Sequence, residues 1–246
     1  MSGRPPSHDP DPAPGDGPSP IAVTLYYDFA SSIAYVAHRV MERMGPDLDA
    51  LGLELRWQAI DLARLAGWSR GGTIDAVRRQ NALRVARELG VELRLPGVWL
   101  DSRRVNAAAH LIEDPSRQAA WRERVWSAIF EQGRDVGHPD EWSELAGGLP
   151  ELAVSKAPLA GRAGPTGGDE PSQAGDGAPL HSGLAALEAA TRHAVERGVN
   201  GVPTFMLGRW PFGGIQEEDT MRSILGRYVR KLRAAAGASA RAGALH

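Results

Sequence analysis

The chain of 246 residues contains no cysteine. That absence removes a CxxC dithiol pair, a thiolate nucleophile and a cysteine zinc site from the functions open to it. It fits a reducing compartment, where structural disulfides do not persist. A surplus of either charge is lacking too. The 28 Lys and Arg stand against 30 Asp and Glu, so nothing points to nucleic acid or an anionic membrane surface as a partner. No stretch approaches the roughly 20 apolar residues that a membrane span requires. The first twenty residues hold seven prolines and no apolar core of the secretory type. They read as a disordered tail, 1–20, on a cytoplasmic protein.

What is present is a mixed α/β pattern. A length of 246 residues at 42% hydrophobic suits one large domain or a domain with an insertion. Ile21 to Tyr27 is a β-branched and aromatic run, read as a strand. Ile33 to Met44 has helical character and meets Gly45-Pro46, a stop signal. Leu53, Leu55 and Trp57 alternate with Glu54, Arg56 and Gln58, which predicts a second strand. The connection between the two strands is the size of a βαβ unit. The middle is helical: Ile74 to Leu89, Ser102 to Ile112, Ala119 to Phe130 with Trp121, Val125, Trp126, Ile129 and Phe130 on one face, and Trp142 to Leu152. From Ser155 to Ser182 glycine and proline alternate without apolar period, so a mobile loop is expected. Leu184 to Arg197 is a helix, Thr204 to Leu207 a strand, WPFGGI a hairpin into one more strand, and Glu217 to Ala236 the last helix, with 237–246 a frayed tail. The order βαβ, helical block, αββα gives an α/β fold of thioredoxin topology with an inserted helical domain at about 64–190, all within a domain spanning 21–236.

Two segments carry a family resemblance. Tyr26 to Val40, YYDFASSIAYVAHRV, resembles the opening of the DsbA-like thioredoxin-fold superfamily: a hydrophobic strand ending in Asp-Phe, a short active-site turn, then a helix. Gly198 to Phe205, GVNGVPTF, resembles that group's Gly-Val-Pro-Thr loop, whose proline is cis, and Gly213 to Gln216 resembles the short motif that follows it. Asp101 and the residues after it, DSRRVNAAAHL, look like the Asn-Ser/Thr-Arg stretch of FrnE-like members. Oxidoreductase members carry CxxC in the turn. The 2-hydroxychromene-2-carboxylate isomerases and kappa-class glutathione transferases carry Ser-Pro-aromatic-Ser, where this chain has Ser31-Ser32-Ile33-Ala34. Ser31 occupies the place of their functional serine; Ser32 replaces the proline and Ala34 the second serine.

The resemblance implies that Ser31 is the catalytic residue, holding the thiolate of glutathione or another low-molecular-weight thiol. It also implies that Ser31, Ser32, Val202 and Pro203 bind that cofactor. A helix N-terminus favours an anion, and a cis-proline loop exposes backbone to an extended peptide. Each residue has a plainer reading beside this one. Ser31 is a good N-cap, with the alternative that Ser32 caps while Ser31 faces the ligand. Val202-Pro203 is a turn before a strand. Asp28 is read as a strand-end residue capping the next helix rather than a buried proton relay. Trp68, Trp99 and Trp210 are candidates for an aromatic pocket, more often core or rim residues. Arg78-Arg79 and Arg103-Arg104 read as solvated helix faces, at most one of them meeting a substrate carboxylate. The histidines show no metal-site spacing. The function implied is a thiol-cofactor-dependent isomerase or transferase acting on an aromatic or polyketide-like small molecule. The competing reading is a redox-inactive relative acting as a binding or accessory protein. A homodimer is compatible with both.

Overall fold

The computed structural model describes residues 19–67, 69–152 and 178–243. Strand β1 (Ile21–Tyr27) leads into helix α1 (Ser32–Arg43), a short α2 (Gly45–Leu51) and strand β2 (Leu53–Ala59). The inserted helices follow: α3 (Leu62–Ala66), α4 (Ala76–Glu88), α5 (Arg103–Ala109), α6 (Pro115–Phe130), α7 (Pro139–Ala146) and a 3-10 turn at Pro150–Leu152. Helix α8 (Ala178–Glu196), strands β3 (Thr204–Leu207) and β4 (Trp210–Gly213), and helix α9 (Glu218–Gly243) complete the fold.

The sheet order is β2-β1-β3-β4. β1 and β2 run parallel with Ile21 opposite Leu53, while β3 is antiparallel to both β1 and β4. Because side chains alternate across a strand, β1 serves two cores. Val23, Leu25 and Tyr27 join a cluster with α1, α6 and α9, and Tyr26 joins Ile60, Ala194, Val199 and Met206 on the other face. The first cluster is continuous with the insertion. Tyr27 and Phe29 meet Trp126 of α6 at ring separations of 5.2 and 5.1 Å, edge-on or tilted, as aromatic pairs prefer. All five residues expected on one face of α6 are buried.

The first helix ends at Arg43, ahead of Gly45-Pro46 as expected, and a second helix starts there. Pro46 sits in the first turn of α2, where its missing N–H costs nothing. The loop expected over 155–182 lies outside the described residues up to 177. From Ala178 the chain is already α8, again with a proline early and with Leu180 buried. Helix α9 runs to Gly243, past the expected tail at 237, because the added stretch alternates Ala with other residues and an interior Gly costs only about 1 kcal/mol. Close packing of α5 on α8 needs Gly183, where a Cβ would lie 2.6 Å from the Ala107 carbonyl.

Candidate active site

The site forms where the C-terminal end of β1 meets the N-terminus of α1. The turn between them closes through the Ser31 N–H donating to the Asp28 carbonyl, 3.0 Å. Ser31 has extended backbone and its Oγ accepts from the Ala34 N–H at 3.2 Å, so Ser31 is the N-cap and Ser32 the first helical residue. The division of labour in which Ser32 caps is thus corrected. The cap role also leaves a function open. A hydroxyl that accepts through its oxygen still holds a proton to donate, and among the described residues no acceptor takes it.

Directly beneath lies Asp28, buried and not capping α1. Its Oδ1 accepts from the Ala30 N–H (2.8 Å) and the Ser102 hydroxyl (2.6 Å), and its Oδ2 from the Leu62 N–H (2.8 Å). Burial holds its carboxyl above the usual range, against the opposing pull of those donors. Asn106 completes the network. It accepts from the Phe29 N–H at 3.2 Å and donates to the Ile60 carbonyl and the Ser102 oxygen. Sequence reasoning missed Ser102 and Asn106 as partners of Asp28, although they stand in the DSRRVN stretch that carries part of the resemblance.

The Val202-Pro203 bond is cis. Val202 faces the same cavity as Ser31 and Ser32, a space of about 260 Å3. Pro203 is buried behind it, and its carbonyl accepts from the Gly214 N–H at 2.8 Å. The opposite wall comes from the insertion: Arg78, Arg79 and Asn81 of α4, and the segment from Leu95 to Trp99. That segment is pinned by the Trp99 N–H to the Gly72 carbonyl and the Gly71 N–H to the Trp99 carbonyl, with a bridge between Thr73 and Val98. Ile33, Leu62, Ile74 and Phe130 give the cavity its apolar surface.

Of the tryptophans considered, Trp99 lines the cavity, Trp210 is exposed on β4 away from it, and Trp68 lies outside the described residues. The expectation for Arg78 and Arg79 is corrected, because both flank the cavity rather than only solvent. The Arg78 guanidinium lies 5.7 Å from the Trp99 ring centre and its Nε faces the Asp75 carboxylate at 3.3 Å. Arg103 instead forks onto Asp101. Elsewhere, His38, Glu42 and Glu123 bring ligand atoms within 4.8 Å of one another, but Arg39 already donates to both carboxylates.

This strand, turn, helix and cis-proline arrangement defines a thioredoxin-type chain, and residues 22–149 match the model of the DSBA-like thioredoxin domain. The chain belongs to that family. It is 27% identical over 217 residues to the 2-hydroxychromene-2-carboxylate isomerase of Pseudomonas putida, covering 85% of this chain and 96% of that protein. A solved 2-hydroxychromene-2-carboxylate isomerase superposes with a TM-score of 0.55 at 23% identity, over 91% of this chain and 98% of the other. The cytosolic disulfide reductase DsbM of Pseudomonas aeruginosa, solved with GSH, gives 0.51 at 20% identity over 85% of this chain and 100% of that one. Among the described residues no helix is long and apolar enough to cross a membrane.

Proposed function

We propose that the chain is a thiol-cofactor-dependent isomerase or transferase acting on an aromatic or polyketide-like small molecule, with Ser31 as the catalytic group. The observation that carries the reading is the Ser31 hydroxyl. Its oxygen is engaged by the helix, its proton is uncommitted, and it opens into a cavity walled by two arginines and no carboxylate. A thiol held there, glutathione or another of low molecular weight, supplies reversible addition to an unsaturated carbonyl compound with no net redox change. The residues provide the rest. Ser31 donates to the sulfur, and the N-terminal end of α1 favours its anionic form. The backbone beside Val202 offers an edge to an extended peptide. The isomerase relatives support the chemistry, and the DsbM neighbour solved with GSH supports the fold's capacity for such a ligand. A cytoplasmic location and a homodimer belong to the same reading.

The test is calorimetric titration with reduced glutathione, with Ser31→Ala as control. Saturable binding that weakens tenfold or more, about 1.4 kcal/mol, in the variant is expected. No binding at millimolar ligand removes glutathione from the reading. The missing CxxC favours a second reading, a redox-inactive binding or accessory protein, and turnover by the purified chain would exclude it.

A further inference from the structure

The sheet ends in two unlike edges, β2 and β4. An open edge invites another strand, and folded chains blunt it with short strands, proline, bulges or charge. β4 is blunted: it has four residues and carries Pro211. β2 runs for seven residues in unbroken register with β1, without glycine or proline. Its two charges, Glu54 and Arg56, are opposite in sign, exposed on one face and 3.2 Å apart.

The hydrogen-bond phase shows what this edge offers. The Ile21 N–H donates to the Gly52 carbonyl and the Ile60 N–H to the Tyr27 carbonyl. Backbone groups alternate along a strand, so Glu54, Arg56 and Gln58 turn theirs to β1, while Leu53, Leu55, Trp57 and Ala59 turn theirs outward. His110 covers the Ala59 carbonyl at 3.0 Å. Among the described residues no hydrogen-bond partner meets the outward groups of Leu53, Leu55 and Trp57. The side chains of these three lie on the apolar face, with Leu55 and Trp57 only partly buried.

We propose that β2 is the dimerisation edge of this chain, pairing antiparallel with β2 of a second copy about a two-fold axis at Leu55. In that register Leu55 faces its own counterpart, Leu53 faces Trp57 of the second copy, and each outward N–H meets an outward carbonyl. Glu54 falls directly opposite Arg56, at the non-hydrogen-bonded positions where side chains approach most closely. A register centred on Glu54 or on Arg56 would set like charges face to face. One centred on Trp57 would call on the Ala59 carbonyl that His110 covers, and one centred on Leu53 would run into α2. One sheet then passes through both copies, with the two Ser31 cavities at opposite ends. The proposal gives a surface to the homodimer of the functional reading and rests on that part of it alone, not on the thiol or the substrate.

The test is sedimentation velocity of the full chain at low salt over a concentration series. An interface this small predicts a monomer–dimer equilibrium in the micromolar range. Glu54→Arg alone and Arg56→Glu alone each place two like-charged pairs across the axis and should weaken the dimer about tenfold. The double variant Glu54→Arg/Arg56→Glu restores opposite charges and should return to within threefold of the wild type. Amide exchange at Leu53, Leu55 and Trp57 should slow as concentration rises. A chain that stays monomeric up to millimolar concentration, a dimer indifferent to the single reversals, a double variant as weak as either single one, or amide exchange that ignores concentration would each overturn the proposal. None of these outcomes bears on the glutathione titration of Ser31→Ala, which stands or falls separately.

Discussion

Two cavities flank Phe130, and they differ in kind. The larger, about 590 Å3, runs beside the C-terminal half of α1 and is lined by Tyr35, Arg39, Arg43, Arg94 and Glu131 among others. The smaller, about 260 Å3, holds Ser31. Size would favour the first. Charge bookkeeping favours the second. Arg39 is spent on Glu42 and Glu123 at 2.7–2.8 Å and on Glu131, while Arg43 is bound to Glu218 and the Leu89 carbonyl. Arg39 and Arg43 of the large cleft are thus answered by carboxylates and carbonyls of the fold, and Arg94 there donates to the Gln132 carbonyl. In the small cavity no carboxylate lines the wall, Arg79 is held only by the Pro96 carbonyl, and the Ser31 proton has no acceptor among the described residues. Unmet demand, rather than volume, marks the place where a ligand acts.

Removing the wall between them should have the largest effect. Phe130 is 1% exposed and stacks on Tyr35 with ring centres 5.0 Å apart. Phe130→Ala should cost about 3–5 kcal/mol, read by urea denaturation, and should merge the two spaces. Arg39→Met comes next. It breaks the network of the large cleft, for an expected loss of about 1–2 kcal/mol given the half-exposed carboxylates. Glutathione binding at Ser31 should nevertheless stay within twofold; a large loss of binding there would dissolve the distinction between the cavities.

Asp28 gives a pH-dependent difference. Its folded-state carboxyl is raised by burial. Above about pH 4 the unfolded chain therefore releases a proton that the folded chain retains. The stability of the wild type relative to Asp28→Asn should fall as pH rises from about 4 until the folded carboxyl also ionises, then level off. Thermal melts of both proteins from pH 4 to 8 check this, and a difference that grows with pH would reverse the sign. The smallest effect belongs to His110, which lines neither cavity. Its Nε2 meets the Ala59 carbonyl at 3.0 Å, its Nδ1 the Gln58 amide at 3.3 Å, and burial lowers its pKa. Stability should slip by under about 1 kcal/mol as pH falls below about 6.5, and His110→Gln should flatten that slope.

The strands and most helices were legible because their signals are local. The alternation in Leu53 to Trp57 and the one-sided run from Trp121 to Phe130 each specify an element without reference to the rest. Ser31 and Val202-Pro203 were legible through motif resemblance, and the structure brings Ser31, Ser32 and Val202 to one cavity with Pro203 behind. Arg79 was not. On the helical pattern it is one more polar residue of α4. Its meaning arises only when the segment 95–99 folds across it and Pro96 takes one corner of its guanidinium. Asn106 was hidden for the same reason. A polar residue in an Ala-rich helix gives no hint that it accepts a hydrogen bond from Phe29, 77 positions earlier. The residues missed are those whose partners are remote.

Asp28 joins such remote pieces. Its two oxygens take donors from the turn between β1 and α1, from the first residue of α3 and from Ser102 at the start of α5. One buried side chain thus ties the β1 end to the start of α3 and the start of α5, and none of these segments can leave without stranding a polar group in the interior. The helical insertion is therefore not a module that melts by itself. Thioredoxin core and insertion should lose structure in a single cooperative step, and the cavity between them should vanish with that step rather than open in advance of it.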